Sequence, residues 1–157
     1  MNAITSPGAA FFVAAEMERR AVRLYERASA LFSDTPCAAL IGDILSQERE
    51  HLARFSSFLT ETGYDVSDPA LLSAESARVI FSGGLVEAHR LGAFQSEKAL
   101  LNYAMEQERG AIEAYERFAA LMAQDDERAL AFTQIANEEK KHLSALRAQL
   151  EAPQTRT

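Results

Sequence analysis

The sequence predicts an all-α protein in which four long helices form two antiparallel hairpins joined by a long crossover. Three observations predict it. Apolar residues recur at intervals of three and four through four separate segments, the pattern of helices with one buried face. Short polar turns divide these segments into two pairs. The second pair also repeats the first: "ERRAVRLYE" at 18–26 matches "ERGAIEAYE" at 108–116, and a Glu-x-x-His follows in each half.

Each element has its own signals. Ser6-Pro7 reads as an N-cap with proline at the first helical position, after which Phe11, Ala14, Ala15, Val22, Tyr25, Ala28 and Phe32 mark a buried face. This gives a first helix over about 7–32. Thr35-Pro36 repeats the start signal, and Leu40, Ile41, Ile44, Leu52, Phe55 and Leu59 carry a second helix over about 36–62, closed by Gly63. Residues 63–95 are less regular and form the crossover, with Asp68-Pro69 starting a short helix and Gly83-Gly84 breaking it. Leu101, Ala104, Met105, Ala111, Ile112, Tyr115, Phe118 and Met122 define a third helix over about 96–123. After the polar "AQDDE", Phe132, Ile135, Leu143, Leu146 and Leu150 define a fourth over about 127–150. A helix of about 27 residues is roughly 40 Å long at 1.5 Å per residue. The crossover is long enough to run the length of such a bundle.

Composition narrows the functional classes. A chain of 157 residues with 48% apolar content fits one domain, 1–157, with a substantial core. Its 16 basic and 23 acidic residues, a formal charge of -7, argue against nucleic acid and anionic membranes and suit cation uptake. The N-terminal "MNAITSPGAAFF" lacks the basic flank and apolar run of a signal peptide, so a cytoplasmic location is expected. Cys37, the single cysteine, permits neither an internal disulfide nor a CxxC knuckle and reads as a small buried apolar residue.

Against this ordinary pattern stand six polar residues. Glu18 falls in the apolar stripe of the first helix, Glu48 and His51 in that of the second, Glu108 in the third, and Glu139 and His142 in the fourth. A carboxylate taken out of water must be neutralised, paired or bound to a metal. No Lys or Arg shares these faces. Four glutamates and two neutral imidazoles sum to -4, which two divalent cations balance. Spacing points the same way, because residues three apart share a helix face and Glu-x-x-His can reach one small volume.

The turns provide a separate check. Residues equidistant from the turn of an antiparallel hairpin lie at one height. The midpoint between Glu18 and Glu48 is position 33, and that between Glu108 and Glu139 is 123.5; both fall in predicted turns. Each hairpin therefore brings its single Glu level with its Glu-x-x-His. Tyr25 and Tyr115, seven residues after Glu18 and Glu108, lie on the same faces, where each can donate a hydrogen bond to a carboxylate of the opposite half or serve simply as a core aromatic. His89 lies in the crossover without a partner at helical spacing and reads as structural or surface. Glu16, Glu50, Glu106 and Glu138 fall off the stripes and read as solvated or rim charges.

"QEREH" at 47–51 and "IANEEKKH" at 135–142, with the matching single glutamates, resemble the rubrerythrin-like branch of the ferritin-like di-iron carboxylate proteins. The resemblance covers all four helices. It implies a ferritin-like four-helix bundle with two Fe ions, in which Glu18 and Glu108 are terminal ligands, Glu48 and Glu139 bridge, and His51 and His142 bind one metal each. Mn, alone or mixed with Fe, suits the same hard donors. The implied activity is a di-iron oxidoreductase that reduces hydrogen peroxide or dioxygen, or oxidises Fe(II). The alternative is iron storage or delivery through the same site. A third reading is a scaffold or binding module around a structural metal centre.

The chain departs from the family at two points. Rubrerythrins carry a rubredoxin-like iron site made of two CxxC pairs, which a chain with only Cys37 cannot build, so electrons must come from an external donor such as a rubredoxin-like protein or a small reductant. They also usually have a further glutamate three residues after the third-helix ligand, associated with peroxide reduction; here that position is Ala111. The apolar faces of the four helices and crossover suggest a homodimer.

Overall fold

A computed structural model of the chain describes residues 6–64, 84–123 and 126–152. The described residues form five helices: α1 (Pro7–Leu31), α2 (Ala38–Thr62), α3 (Leu85–Arg90), α4 (Glu97–Ala120) and α5 (Glu127–Glu151). No strand occurs among them. No helix among them is long and apolar enough to cross a membrane.

The caps explain where most helices start. Ser6 accepts a hydrogen bond from the Ala9 amide at 3.1 Å, with Pro7 in the first turn. Ser96 does the same for Ala99 at 3.0 Å, and the Asp126 carboxylate for Arg128 at 2.8 Å. The second helix differs from the sequence expectation. It begins at Ala38 rather than near Pro36, because the Thr35 hydroxyl donates back to the Phe32 carbonyl at 2.6 Å instead of capping forward. Thr35 thereby finishes the turn after α1. Gly63 ends α2 in the left-handed conformation, φ 66°, which a side chain would disfavour. The third helix ends at Ala120, a few residues earlier than its apolar stripe suggests, and the first at Leu31. The expected short helix at Asp68-Pro69 lies outside the described residues. Within the crossover, Gly84 stands at the N-terminus of α3, so the glycine pair precedes a helix there.

Helix directions follow from side-chain pairs. Phe12 lies 5.9 Å from Tyr64 between ring centroids, which sets the start of α1 beside the end of α2 and makes them antiparallel. Tyr64 packs so closely on Gly8 that a Cβ there would come within 2.7 Å of the Tyr64 side chain; only glycine fits. Contacts from Tyr25 to Glu108 and from Tyr115 to Glu18 set α1 antiparallel to α4. Those from His51 to Glu138 and from His142 to Gln47 set α2 antiparallel to α5. It follows that α2 and α4 are parallel. The chain must then return from the Gly8 end, where α2 finishes, to the Cys37 end, where the Glu97 carboxylate accepts from the Cys37 amide at 3.4 Å. A helix of 25 residues rises about 37 Å at 1.5 Å per residue. This is the length that the crossover spans.

The core has two apolar parts. Toward the 32–37 turn it is mostly aliphatic, with Ile41, Ile44, Leu100, Leu101 and Leu146 against Tyr25 and Cys37. Toward the other end it is aromatic: Phe132 stacks on Phe11 at 4.7 Å and also meets Phe55, Tyr115 and Phe118. Because Phe132 is fully buried among these rings, Phe132→Ala is expected to destabilise the fold by about 3–5 kcal/mol. The shift of the urea unfolding midpoint measures it.

Candidate metal centre

Between the two apolar parts lie the six polar residues singled out by the sequence. Glu18, Glu48, His51, Glu108, Glu139 and His142 are all buried, none more than 4% exposed. Their helices bring them together as two overlapping groups, Glu18, Glu48, His51 and Glu139, and Glu48, Glu108, Glu139 and His142. In each group, one donor atom per residue lies within 4.8 Å of all the others. Glu48 and Glu139 belong to both.

The geometry repeats across the two halves. His51 Nδ1 lies 3.0 Å from Glu139 Oε1 and 3.7 Å from Glu18 Oε1. His142 Nδ1 lies 2.9 Å from Glu48 Oε1 and 3.7 Å from Glu108 Oε1. The tyrosines complete the correspondence. Tyr25 donates its hydroxyl to Glu108 Oε1 at 2.8 Å, and Tyr115 donates to Glu18 Oε1 at 2.8 Å. Each tyrosine thus reaches the glutamate of the opposite hairpin. Burial, reinforced by the nearby carboxylates, raises both phenols well above their ordinary range, so they remain donors.

The remaining donor atoms face inward without partners. Glu18 Oε2, Glu108 Oε2, both Glu48 oxygens, Glu139 Oε1 and both histidine Nδ1 atoms are buried and make no hydrogen bond. The Nδ1 and carboxylate atoms are near one another but not aligned to bond, as expected of groups aimed at shared points between them. Unsatisfied buried polar atoms are individually costly. Their concentration here, with oxygen and imidazole nitrogen as the donors, fits two divalent cations.

Behind each imidazole stands a residue that orients it. His51 Nε2 donates to Glu138 Oε2 at 2.9 Å, and His142 Nε2 donates to Gln47 Oε1 at 2.7 Å. Those bonds place the ring protons on the outer nitrogens and turn the Nδ1 lone pairs toward the cluster. Glu138 therefore does more than the rim charge expected of it, although its side chain is 43% exposed. Gln47 was not expected at all. A signal for both exists in the repeat, because the shift of 91 that carries Glu48 to Glu139 also carries Gln47 to Glu138. His89 is exposed, its ring packed 4.7 Å from Phe94, well apart from this chemistry. Glu16 and Glu106 pair with Arg19 and Arg109 within their own helices.

Without a cation, protons take over the neutralisation. Burial, then the neighbouring carboxylates, push Glu48 and Glu139 well above the usual carboxylate range. Burial opposes charge on the histidines, but Glu108 and Glu48 outweigh it and raise His142 to about 9, while Glu18 and Glu138 raise His51. Glu18 moves the other way: burial raises it, but the nearby Glu48 and His51 and the bond from Tyr115 prevail and lower it.

These shifts set the pH dependence. A raised group binds more protons folded than unfolded, so its stabilising effect is complete below the unfolded value and is lost as pH rises through the folded one. For His142 that window runs from the ordinary 6.5 to about 9. The metal-free protein is therefore expected to lose thermal stability from pH 6.5 to 9. A cation must displace the same protons, so metal affinity is expected to rise over that window. Calorimetry in buffers of differing ionisation heat measures the protons released; no release on binding at pH 7 contradicts the assignment.

Comparison with known proteins yields no match to this chain, whether among protein-family models, curated proteins or solved structures.

Proposed function

We propose that the chain is a di-iron carboxylate oxidoreductase of the ferritin-like, rubrerythrin-like kind, reducing hydrogen peroxide or dioxygen, or oxidising Fe(II), with electrons from an external donor. The observation that carries this reading is the pair of buried ligand groups sharing Glu48 and Glu139. In the reading, Glu18 with His51 and Glu108 with His142 each complete one position, and the two shared glutamates bridge. Bound there, a ferrous pair supplies two electrons together, enough with two protons to convert peroxide to two waters.

The surrounding residues account for the rest of the chemistry. Tyr25 and Tyr115 each hold one oxygen of a terminal glutamate and leave the other free to bind. Glu138 and Gln47 fix the imidazole faces. A cavity of about 270 Å³ between α1 and α4 reaches Glu18, Glu48, Glu108 and Glu139. Small residues, Ala21, Gly110, Ala111 and Ala114, form part of its wall. Since water occupies about 30 Å³ in the liquid, peroxide or dioxygen fits with room to spare.

Iron storage or delivery is the second reading. The single cysteine favours it, because one cysteine cannot build a rubredoxin-like iron site through which to receive electrons. Multiple turnover separates the two: continued peroxide consumption with a reductant supports the oxidoreductase, and one oxidation event per loaded site supports iron handling. A homodimer, if it forms, also opposes a mineral cage, and size-exclusion mass reads this directly.

Anaerobic titration should bind two Fe(II) per chain, and stopped-flow mixing with H2O2 and separately with O2 should show which one oxidises the pair. Glu48→Ala and Glu139→Ala should each lose the pair, whereas His89→Ala should retain it. Equal binding by all three variants would refute the site. Ala111→Leu, which narrows the cavity, should slow oxidation by H2O2 while leaving the Fe(II) stoichiometry at two.

A further inference from the structure

The two metal positions are alike in most distances, apart from Nδ1 to the glutamate three residues before it, which is 3.8 Å for His51 and 3.4 Å for His142, and they differ in what stands behind the histidine. Nδ1 of each histidine is 3.7 Å from its terminal glutamate, and Nδ1 to the nearer shared glutamate is 3.0 Å on one side and 2.9 Å on the other. Each terminal glutamate accepts from a tyrosine at 2.8 Å. The holders of the rings occupy equivalent places, each one residue before a shared glutamate and on the helix facing the histidine it holds. Their chemistry is unlike: Glu138 presents a carboxylate to His51, and Gln47 presents a neutral amide to His142.

We infer that the two positions are unequal and fill in order, the Glu18, Glu48, His51 and Glu139 position first, with Glu138 as the positioning residue that sets the order. This rests on the dimetal reading above. A carboxylate acceptor forms a charge-assisted bond about twice as strong as a neutral one. It therefore draws the outer ring proton more strongly and puts more negative charge behind Nδ1 of His51 as a donor toward a cation. The same carboxylate adds negative charge on one side only. Its partial exposure to water screens that charge, which places the effect at the low end of the roughly 10- to 100-fold range for such outer partners. Gln47 fixes the His142 ring equally well but contributes no charge. The order of filling thus depends on charge, since both rings are equally held.

Co(II) alone is a suitable probe, since the stepwise constants can be read by calorimetry and by visible absorption without turnover. The wild type should bind two Co(II) per chain in two resolved steps. Glu138→Gln keeps the hydrogen bond and removes the charge; it should weaken the first step about tenfold and leave the second nearly unchanged. Gln47→Glu should strengthen the second step and bring the two together. Both residues lie near the surface of their helices, so helical circular dichroism should be unaltered and rule out misfolding as the cause. An unchanged first step in Glu138→Gln, or a loss confined to the second, overturns the inference while leaving the dimetal site standing. Failure of the wild type to bind two Co(II) overturns both.

Discussion

The structure is governed by the cost of keeping four carboxylates out of water. Glu18, Glu48, Glu108 and Glu139 lie between an aliphatic and an aromatic half of the core, each at most 2% exposed. Two remedies are open to such a cluster. Protons can neutralise Glu48 and Glu139 and charge the histidines, which satisfies the electrostatics but leaves inward-facing oxygens without bonds. Divalent cations bound there would remove both penalties at once, because they would supply charge at the points on which those oxygens converge. The large aromatic cluster next to the site offsets a local arrangement that by itself opposes folding.

The same constraint ties the hairpins to each other. Within a hairpin, packing of α1 on α2 and of α4 on α5 is extensive, while the contacts between hairpins are sparser. The polar cluster crosses that boundary repeatedly. Tyr25 reaches Glu108, Tyr115 reaches Glu18, His51 meets Glu138 and Glu139, and His142 meets Gln47 and Glu48. A hydrogen bond to a charged group contributes about 1.5–3 kcal/mol, so the bonds from Tyr25 to Glu108 and from Tyr115 to Glu18 are each comparable with the burial of a large side chain. Metal bound there would take donors from all four long helices and so would also tie the two halves together.

Much of this was legible in the sequence because the site violates the pattern that reveals the fold. Once Ile44 and Leu52 define a buried stripe, Glu48 and His51 stand out within it, and the turn positions give their level relative to Glu18. The tyrosines were legible as facing the site, with a bond to a carboxylate of the opposite half as one of two readings, and the structure shows that bond for both. Gln47 and Glu138 escaped for a definite reason: they are off the buried stripe, and their partners lie on α2 and α5, which no short turn connects. No midpoint rule gives the level of such a pair. The start of α2 was misread because Thr35-Pro36 resembles a cap signal, and only the backbone path shows the Thr35 hydroxyl directed back to Phe32. The cavity between α1 and α4 was likewise invisible, since small residues on a helix face read as close packing until the neighbouring helix is in place.

That cavity gives the centre two unlike sides. On the side of α2 and α5, the two imidazoles lie 6.0 Å apart between ring centroids, backed by Glu138 and Gln47. On the side of α1 and α4, Ala21 and Ala111, three residues beyond Glu18 and Glu108, line the cavity together with those glutamates. A small molecule in that cavity would approach the centre from the side of Glu18 and Glu108 rather than from the histidines. The tyrosine bonds anchor one oxygen of Glu108 and of Glu18 and leave the other unbonded. Residues 21 and 111 stand on helices rather than on a loop, so a larger side chain at either would narrow the cavity while the buried glutamates and histidines stay in position.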